Sequence, residues 1–208
     1  MIISAIIPAY NEEKTVGKII DTLKNVDIIS EIIVVSDGSE DKTAQIARER
    51  QVTVIELPKN MGKGAAIKTG LDASKGEVLL FLDADLIGLK EMHVKKLLEP
   101  VLKDECDMTV GVFNKGRIST DIAQLLTPHL SGQRVVKRSV IEKIDKIEIT
   151  GYGIEIALTR HAKNCGIRVK KIKMDNMTHV TKEEKYGVAK GLIKRFRMYW
   201  QIYKGLRV

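Results

Sequence analysis

Aromatic side chains are scarce in this chain: Phe, Trp and Tyr together make up 4% of its 208 residues. So few flat rings leave little surface on which single-stranded bases could stack, and nucleic acid is not an expected partner. The two cysteines, Cys106 and Cys165, lie far apart and show no metal-ligand spacing, as suits incidental or buried thiols of a reducing cytoplasm. No apolar run approaches the ~20 residues that cross a bilayer. The opening segment Met1–Ala9 lacks a basic n-region and reads as a strand rather than a signal peptide. Two phosphate-binding signatures are also missing. No Gly-x-Gly-x-x-Gly follows the first strand, which sets aside a Rossmann dehydrogenase, and no Gly-x-x-x-x-Gly-Lys-Ser/Thr sets up a P-loop.

What is present is an ordinary globular composition, 44% hydrophobic and 30% charged, with a net charge of +8. That charge is concentrated: residues 168–208 hold 12 Lys/Arg against 3 Asp/Glu, leaving residues 1–167 near neutral. By charge alone a basic tail suits an anionic partner, whether a phosphorylated acceptor, a membrane surface or nucleic acid, and equally a solvated lysine-rich helix face.

Apolar periodicity alternates from the start. Strands are expected at Ile3–Ile7, Glu31–Val35, Val52–Leu57 and Val78–Leu82, with helices near 15–24, 41–50 and 62–74 between them. Such βαβ alternation predicts an α/β fold with a mostly parallel central sheet and helices on both faces. Further on, a helix is expected over Glu91–Leu102, a strand over Met108–Phe113, a short helix over Val140–Ile144 and a last strand over Val169–Met174. A helix opens at Gly151-Tyr152-Gly153, and residues 186–203 have amphipathic spacing. With no repeat or linker, residues 1–208 read as one domain. Its parts are a first half (1–113), a second half (114–185) and a basic amphipathic C-terminal helix (186–208).

Val78-Leu79-Leu80-Phe81-Leu82 stops abruptly at Asp83-Ala84-Asp85. In open α/β sheets ligands bind at the C-terminal ends of strands, and hard carboxylate oxygens there suit Mg²⁺ or Mn²⁺. An isolated Asp-x-Asp also occurs in exposed acidic loops, so its neighbours matter. The first strand ends in Pro8-Ala9-Tyr10-Asn11-Glu12-Glu13, the second in Ser36-Asp37-Gly38-Ser39, and Asn60-Met61-Gly62-Lys63-Gly64 lies between the second and fourth motifs.

These four segments, in this order, resemble the family 2 glycosyltransferases of the GT-A nucleotide-diphospho-sugar transferase fold. The resemblance implies a metal-assisted transfer of sugar from a UDP- or GDP-linked donor to a small phosphorylated or polyprenyl-phosphate acceptor. It implies donor contacts by Pro8, Ala9, Tyr10, Glu12, Asp37, Lys63 and Asp83, with Asp85 holding Mg²⁺ or Mn²⁺. Asp37, which stands after Ser36 where relatives have two acidic residues, would accept a hydrogen bond from the base; the other reading is an N-cap or Asx-turn. Glu155 would be a catalytic carboxylate or simply a helix N-terminal Glu, and His179 either a metal ligand or an ordinary histidine. His93, His129 and His161 show no pairing pattern. Ser131, Gly132, Gln133 and Arg134, with Gly151 and Tyr152, resemble the acceptor segments of glucosyl-3-phosphoglycerate synthases. That subgroup, however, carries Ala-Gly-Glu where this chain has Ser131-Gly132-Gln133; polyprenyl-phosphate glycosyltransferases share the N-terminal motifs.

Two rival functions are a nucleotide-sugar-binding protein without catalysis and a sugar nucleotidyltransferase. The latter wants a Gly-rich basic loop after the first strand, and Pro8–Glu13 has none. The apolar stripe Val188, Leu192, Phe196, Tyr199, Trp200 and Tyr203 would pack on the domain, on a second copy of the chain, or against an anionic bilayer. The expected location is the cytoplasm, with the bilayer alternative placing the protein peripherally on the inner face of the membrane.

Overall fold

The structure, a computed structural model of the protein, describes residues 1–114, 131–143 and 153–180. The first half runs β1 (Ile3–Ala9), α1 (Val16–Lys24), β2 (Glu31–Ser36), α2 (Thr43–Glu49), β3 (Thr53–Glu56), α3 (Lys63–Ala73) and β4 (Val78–Phe81). There follow β5 (Leu86–Ile87), α4 (Glu91–Leu102), β6 (Met108–Asn114), β7 (Arg134–Lys137), α5 (Arg138–Ile141), α6 (Gly153–Asn164), β8 (Val169–Asp175) and β9 (Thr178–His179).

Seven strands form one sheet in the order β3-β2-β1-β4-β7-β6-β8. β1 pairs in parallel with β2 and β4, and β6 with β8; β7 is antiparallel to both of its neighbours. The mostly parallel arrangement follows from the alternating helices. All seven positions of β1 are buried, as a central strand covered on both faces requires.

Strand parity divides the core in two. Ile3, Ala5, Ile7 and Ala9 of β1, with Leu80 and Leu82, pack with Ile19, Ile20 and Leu23 of α1 and Val94, Leu97 and Leu98 of α4. Ile6, Leu79 and Phe81 point the other way, onto Ile67 and Leu71 of α3, Val140 and Ile141 of α5 and Leu158 of α6. Alternate residues on opposite faces are the period of a strand, so each helix layer has its own apolar set.

β7 has no counterpart among the expected strands. Its apolar content is only Val135 and Val136, between Arg134 and Lys137, too short for periodicity to register. Tertiary context makes it a strand: Val135 joins one core cluster and Val136 the other. The expected helix over 186–203 lies outside the described residues. No helix among the described residues is long and apolar enough to cross a membrane.

Candidate functional site

The parallel strands β1, β2 and β4 all end at one edge of the sheet, and the loops that leave them are knitted together. Asn11, at φ 54°, donates through its backbone to Ser39 Oγ (3.1 Å), and its Oδ1 accepts from the Glu40 backbone (2.8 Å). The Glu12 backbone donates to Thr43 Oγ1 (2.7 Å). The polar residues after β1 and β2 therefore fix each other's backbone, and they leave Tyr10 and Glu12 half-buried at the edge. Pro8 and Ala9 lie within β1 itself and are buried.

Asp37 is 3% exposed and uses both carboxylate oxygens on backbone N–H groups, Met61 (2.7 Å) and Gly62 (2.9 Å). It thus ties the end of β2 to the turn that starts α3. Gly62 takes φ 94°, a conformation that suits glycine and lets α3 open with Lys63 aimed at the sheet edge. The expected N-cap or Asx-turn role takes a longer-range form here: Asp37 caps the loop of another element.

Asp83 and Asp85 follow the buried end of β4. Lys63 Nζ stands 2.5 Å from Asp83 Oδ1, and Gln133 Nε2 donates to Asp83 Oδ2 at 2.9 Å. His179 arrives from far along the chain through a two-stranded antiparallel ribbon in which Leu86 faces His179 and Ile87 faces Thr178. The Val180 backbone continues that ladder by donating to the Asp85 carbonyl at 3.0 Å. This brings His179 Nδ1 to 2.8 Å from Asp85 Oδ1, and the imidazole rests edge-on against Phe113 with ring centroids 4.8 Å apart.

The electrostatics follow from this crowding. Burial pushes the His179 imidazole down, but its hydrogen bond to Asp85 and the charges of Asp85 and Asp83 outweigh it and raise its pKa. Burial pushes Asp83 up, while the charges of Lys63 and His179 and the hydrogen bonds from Lys63 and Gln133 bring it below its ordinary value. One ligand atom each from Asp83, Asp85 and His179 lies within 4.8 Å of the others. Two carboxylates and one imidazole fit a hard to borderline divalent ion, and the imidazole favours Mn²⁺ over Mg²⁺.

Ser131-Gly132-Gln133 sits over this cluster because of β7. Phe81 pairs with Arg134, so continuing the antiparallel register sets Gly132 opposite Asp83. A Cβ on Gly132 would press into both Asp83 oxygens and lie 2.6 Å from Lys63 Nζ, so close an approach admits only glycine without a shift. Gln133 is fully buried, and Arg134, 1% exposed, lies beneath the segment. The Arg134 guanidinium donates to the Ser131 carbonyl (2.8 Å) and to Thr159 Oγ1 of α6 (3.2 Å). Both side chains were expected on the acceptor side. Gln133 reaches Asp83, and Arg134 braces the segment from below.

Glu155 falls in the first turn of α6, while Gly151 and Tyr152 lie outside the described residues. His93 is buried and satisfied: its Nδ1 accepts from the Lys90 backbone at 3.2 Å, as expected of a histidine without a pairing pattern. Sequence reasoning missed the Lys63–Asp83 pair and the Gln133–Asp83 bond. Neither has a local signal, because each joins residues brought together only by the sheet.

The profile of glycosyl transferase family 2 matches residues 4–174. Glucosyl-3-phosphoglycerate synthase of Mycolicibacterium smegmatis is 36% identical over an alignment that covers 75% of this chain and 62% of that protein. A dolichyl-phosphate beta-glucosyltransferase of Trichomonas vaginalis is 40% identical, over 74% of this chain and 45% of its own length. The chain thus spans less than two thirds of both curated relatives. Among solved structures, glucosyl-3-phosphoglycerate synthase of Mycobacterium tuberculosis, in complex with Mn²⁺, UDP and phosphoglyceric acid, superposes with a TM-score of 0.79 at 25% identity. That match covers 99% of this chain and 77% of the other. A complex of the same enzyme with Mn²⁺ and UDP-glucose gives a TM-score of 0.73 at 27% identity. The sheet order, the strand-end carboxylates and a profile match across most of the chain agree: the protein belongs to glycosyl transferase family 2 and has the GT-A fold.

Proposed function

We propose that the protein transfers a hexose from a UDP-sugar, with UDP-glucose the first candidate, to a small phosphorylated or polyprenyl-phosphate acceptor. The observation that carries this reading is the convergence of Asp83, Asp85 and His179 at the C-terminal edge of the parallel sheet, beside Lys63. A divalent ion held by Asp85, His179 and Asp83 would neutralise the charge that develops on the diphosphate as it leaves. Lys63 adds a cation at the same place. Pro8, Ala9, Tyr10 and Glu12 border the nucleoside, and Asp37, which orders the Gly62 turn, would accept from the base through a remaining lone pair.

In the transfer the bond from sugar C1 to the diphosphate oxygen breaks and a bond from C1 to an acceptor oxygen forms. UDP departs with the bonding pair. A hydroxyl acceptor gives its proton to a base, for which Glu155 is the candidate; a phosphate-monoester oxygen has no proton to give up. Residues 1–113 serve the donor and residues 114–185 chiefly the acceptor, with Gly151, Tyr152 and Ser131 on the acceptor side and Arg134 bracing Ser131.

The two acceptor classes are those of the relatives, a phosphoglycerate and a dolichyl phosphate. The lipid acceptor carries a corollary: a cytoplasmic protein whose segment 186–203 rests on an anionic inner membrane face. Liposome co-sedimentation that fades with salt would support it, and a dimer in solution would give the stripe a second copy instead.

The decisive experiment incubates the protein with UDP-glucose, other UDP-hexoses and GDP-mannose, each with Mn²⁺ or Mg²⁺, with and without 3-phosphoglycerate or dolichyl phosphate. Release of UDP that rises with one acceptor supports the reading. Nucleotide binding without release would favour a sugar-nucleotide-binding protein, and formation of UDP-sugar from UTP and sugar phosphate would favour a nucleotidyltransferase.

A further inference from the structure

Gln133 is fully buried, and its amide is engaged at both ends. Ser131 Oγ donates to Oε1 at 2.8 Å, and Nε2 donates to Asp83 Oδ2 at 2.9 Å. Only one orientation of the amide serves both, since turning it would set a carbonyl oxygen against a carboxylate. The main chain is pinned as well: the Gln133 carbonyl accepts from the Gly111 backbone at 2.8 Å, which continues the β6–β7 ladder. Gln133 is therefore a rigid donor, built into the sheet and aimed at a carboxylate whose other hold is the flexible side chain of Lys63.

Asp83 is gripped from both sides, Oδ1 by Lys63 and Oδ2 by Gln133, and Gly132 leaves room for no atom between them. The chemistry of the second grip matters. A neutral amide orients the carboxylate without cancelling its charge, whereas a second ammonium would compete with an incoming cation. A glutamate at this place would set a like charge against Asp83 and supply no donor at neutral pH.

We propose that Gln133 is a positioning residue that fixes Asp83 for the metal–diphosphate end of the donor, so that the Ser131–Gln133 segment governs donor affinity rather than acceptor affinity alone. The inference rests on the reading of the site as a nucleotide-diphosphate site. It makes the segment after residue 130 the physical link between the halves: whatever displaces Ser131 turns the Gln133 amide, and with it Asp83.

Calorimetric titration of the whole chain with UDP in the presence of Mn²⁺ tests this in four proteins: wild type, Gln133→Met, Asp83→Ala and the double variant. Gln133→Met keeps length and apolar burial but removes the donor. It should weaken UDP binding about tenfold or more, as expected for loss of a hydrogen bond to a charged group. In the Asp83→Ala background the same change should add nothing, because Gln133 acts through Asp83. With UDP-glucose as substrate, the donor KM should rise while the acceptor KM holds. Ser131→Ala, which releases the amide without touching the core, should give a smaller loss in the same direction and guards against a Gln133→Met protein that does not fold. Wild-type affinity in Gln133→Met, or an equal loss with and without the Asp83 carboxylate, would overturn the proposal while leaving the functional reading intact. A wild-type protein that binds no UDP with Mn²⁺ would overturn that reading, and this inference with it.

Discussion

Charged side chains cluster at both edges of the sheet, and the two clusters are built on opposite plans. At the edge where β6 and β8 begin, Asp104 and Asp107 face Lys137 and Arg168, and each cation bridges both acids. Lys170 and Glu105 pair alongside. Every charge there has a partner of opposite sign, and Arg168 and Asp104 are well exposed. At the other edge two carboxylates and a histidine crowd together with Lys63 as the cation beside them, in a half-buried setting. A cross-paired cluster needs nothing more and acts as a clasp. Carboxylates and an imidazole gathered around one point are arranged for a cation that arrives from outside.

Substitutions in the two clusters should therefore fail in different ways. The largest effect is expected for Asp85→Asn. Loss of an anionic metal ligand should cost several kcal/mol of leaving-group stabilisation and abolish turnover of UDP-glucose, with the unfolding midpoint nearly unchanged. A variant that is inactive because it is unfolded would erase the contrast. Next is Gly132→Ala, whose added methyl meets Asp83 and Lys63. Overpacking of this kind costs about 1–3 kcal/mol and should appear chiefly as weaker UDP binding by calorimetry.

Asp37→Ala lies between the plans. Its carboxylate accepts from Met61 and Gly62, so removing it should lower unfolding stability by about 1.5–3 kcal/mol, and UDP affinity with it. A loss of affinity with unchanged denaturant stability would mark Asp37 as a base contact alone.

The smallest effect is expected at the clasp. The hydrogen bond from Arg168 comes first among the causes that hold the Asp107 carboxyl well below the usual carboxylate range, despite the opposing push of burial; Lys137 adds to it. Because the folded value lies below the ordinary 3.8, the resulting stability is present above about pH 4 and is lost as the pH falls below it. Asp107→Asn should cost about 1 kcal/mol at neutral pH, after allowance for solvent screening, flatten the acid limb of the stability profile and leave turnover unchanged.

The carboxylate half of this contrast was legible in the sequence; the clasp was not, because its residues meet only across the sheet. Asp83 and Asp85 stood out because an apolar strand ends on them, and the parallel sheet followed from strand–helix alternation. Asp37 was noticed for the right position, but its partners Met61 and Gly62 lie across a loop that no local pattern connects. β7 escaped notice because two valines carry no period, and its burial comes from neighbours on both sides. Missing β7 also hid the role of Gln133, since only the antiparallel register places residues 132 and 133 beside Asp83. His179 was suggested by family resemblance alone; the β5–β9 ribbon that delivers it is two residues per strand, too short to leave a sequence signal.

The central claim is that the Asp83–Asp85–His179 edge binds a nucleotide diphosphate through a divalent ion. UDP affinity, measured by calorimetry with Mn²⁺ and again with excess chelator, tests it most directly. The account predicts binding that weakens at least about tenfold without the ion in the wild type, the scale of losing a charge-assisted contact, and an ion dependence that disappears in Asp85→Asn. Equal UDP affinity in the wild type with and without the ion would contradict it.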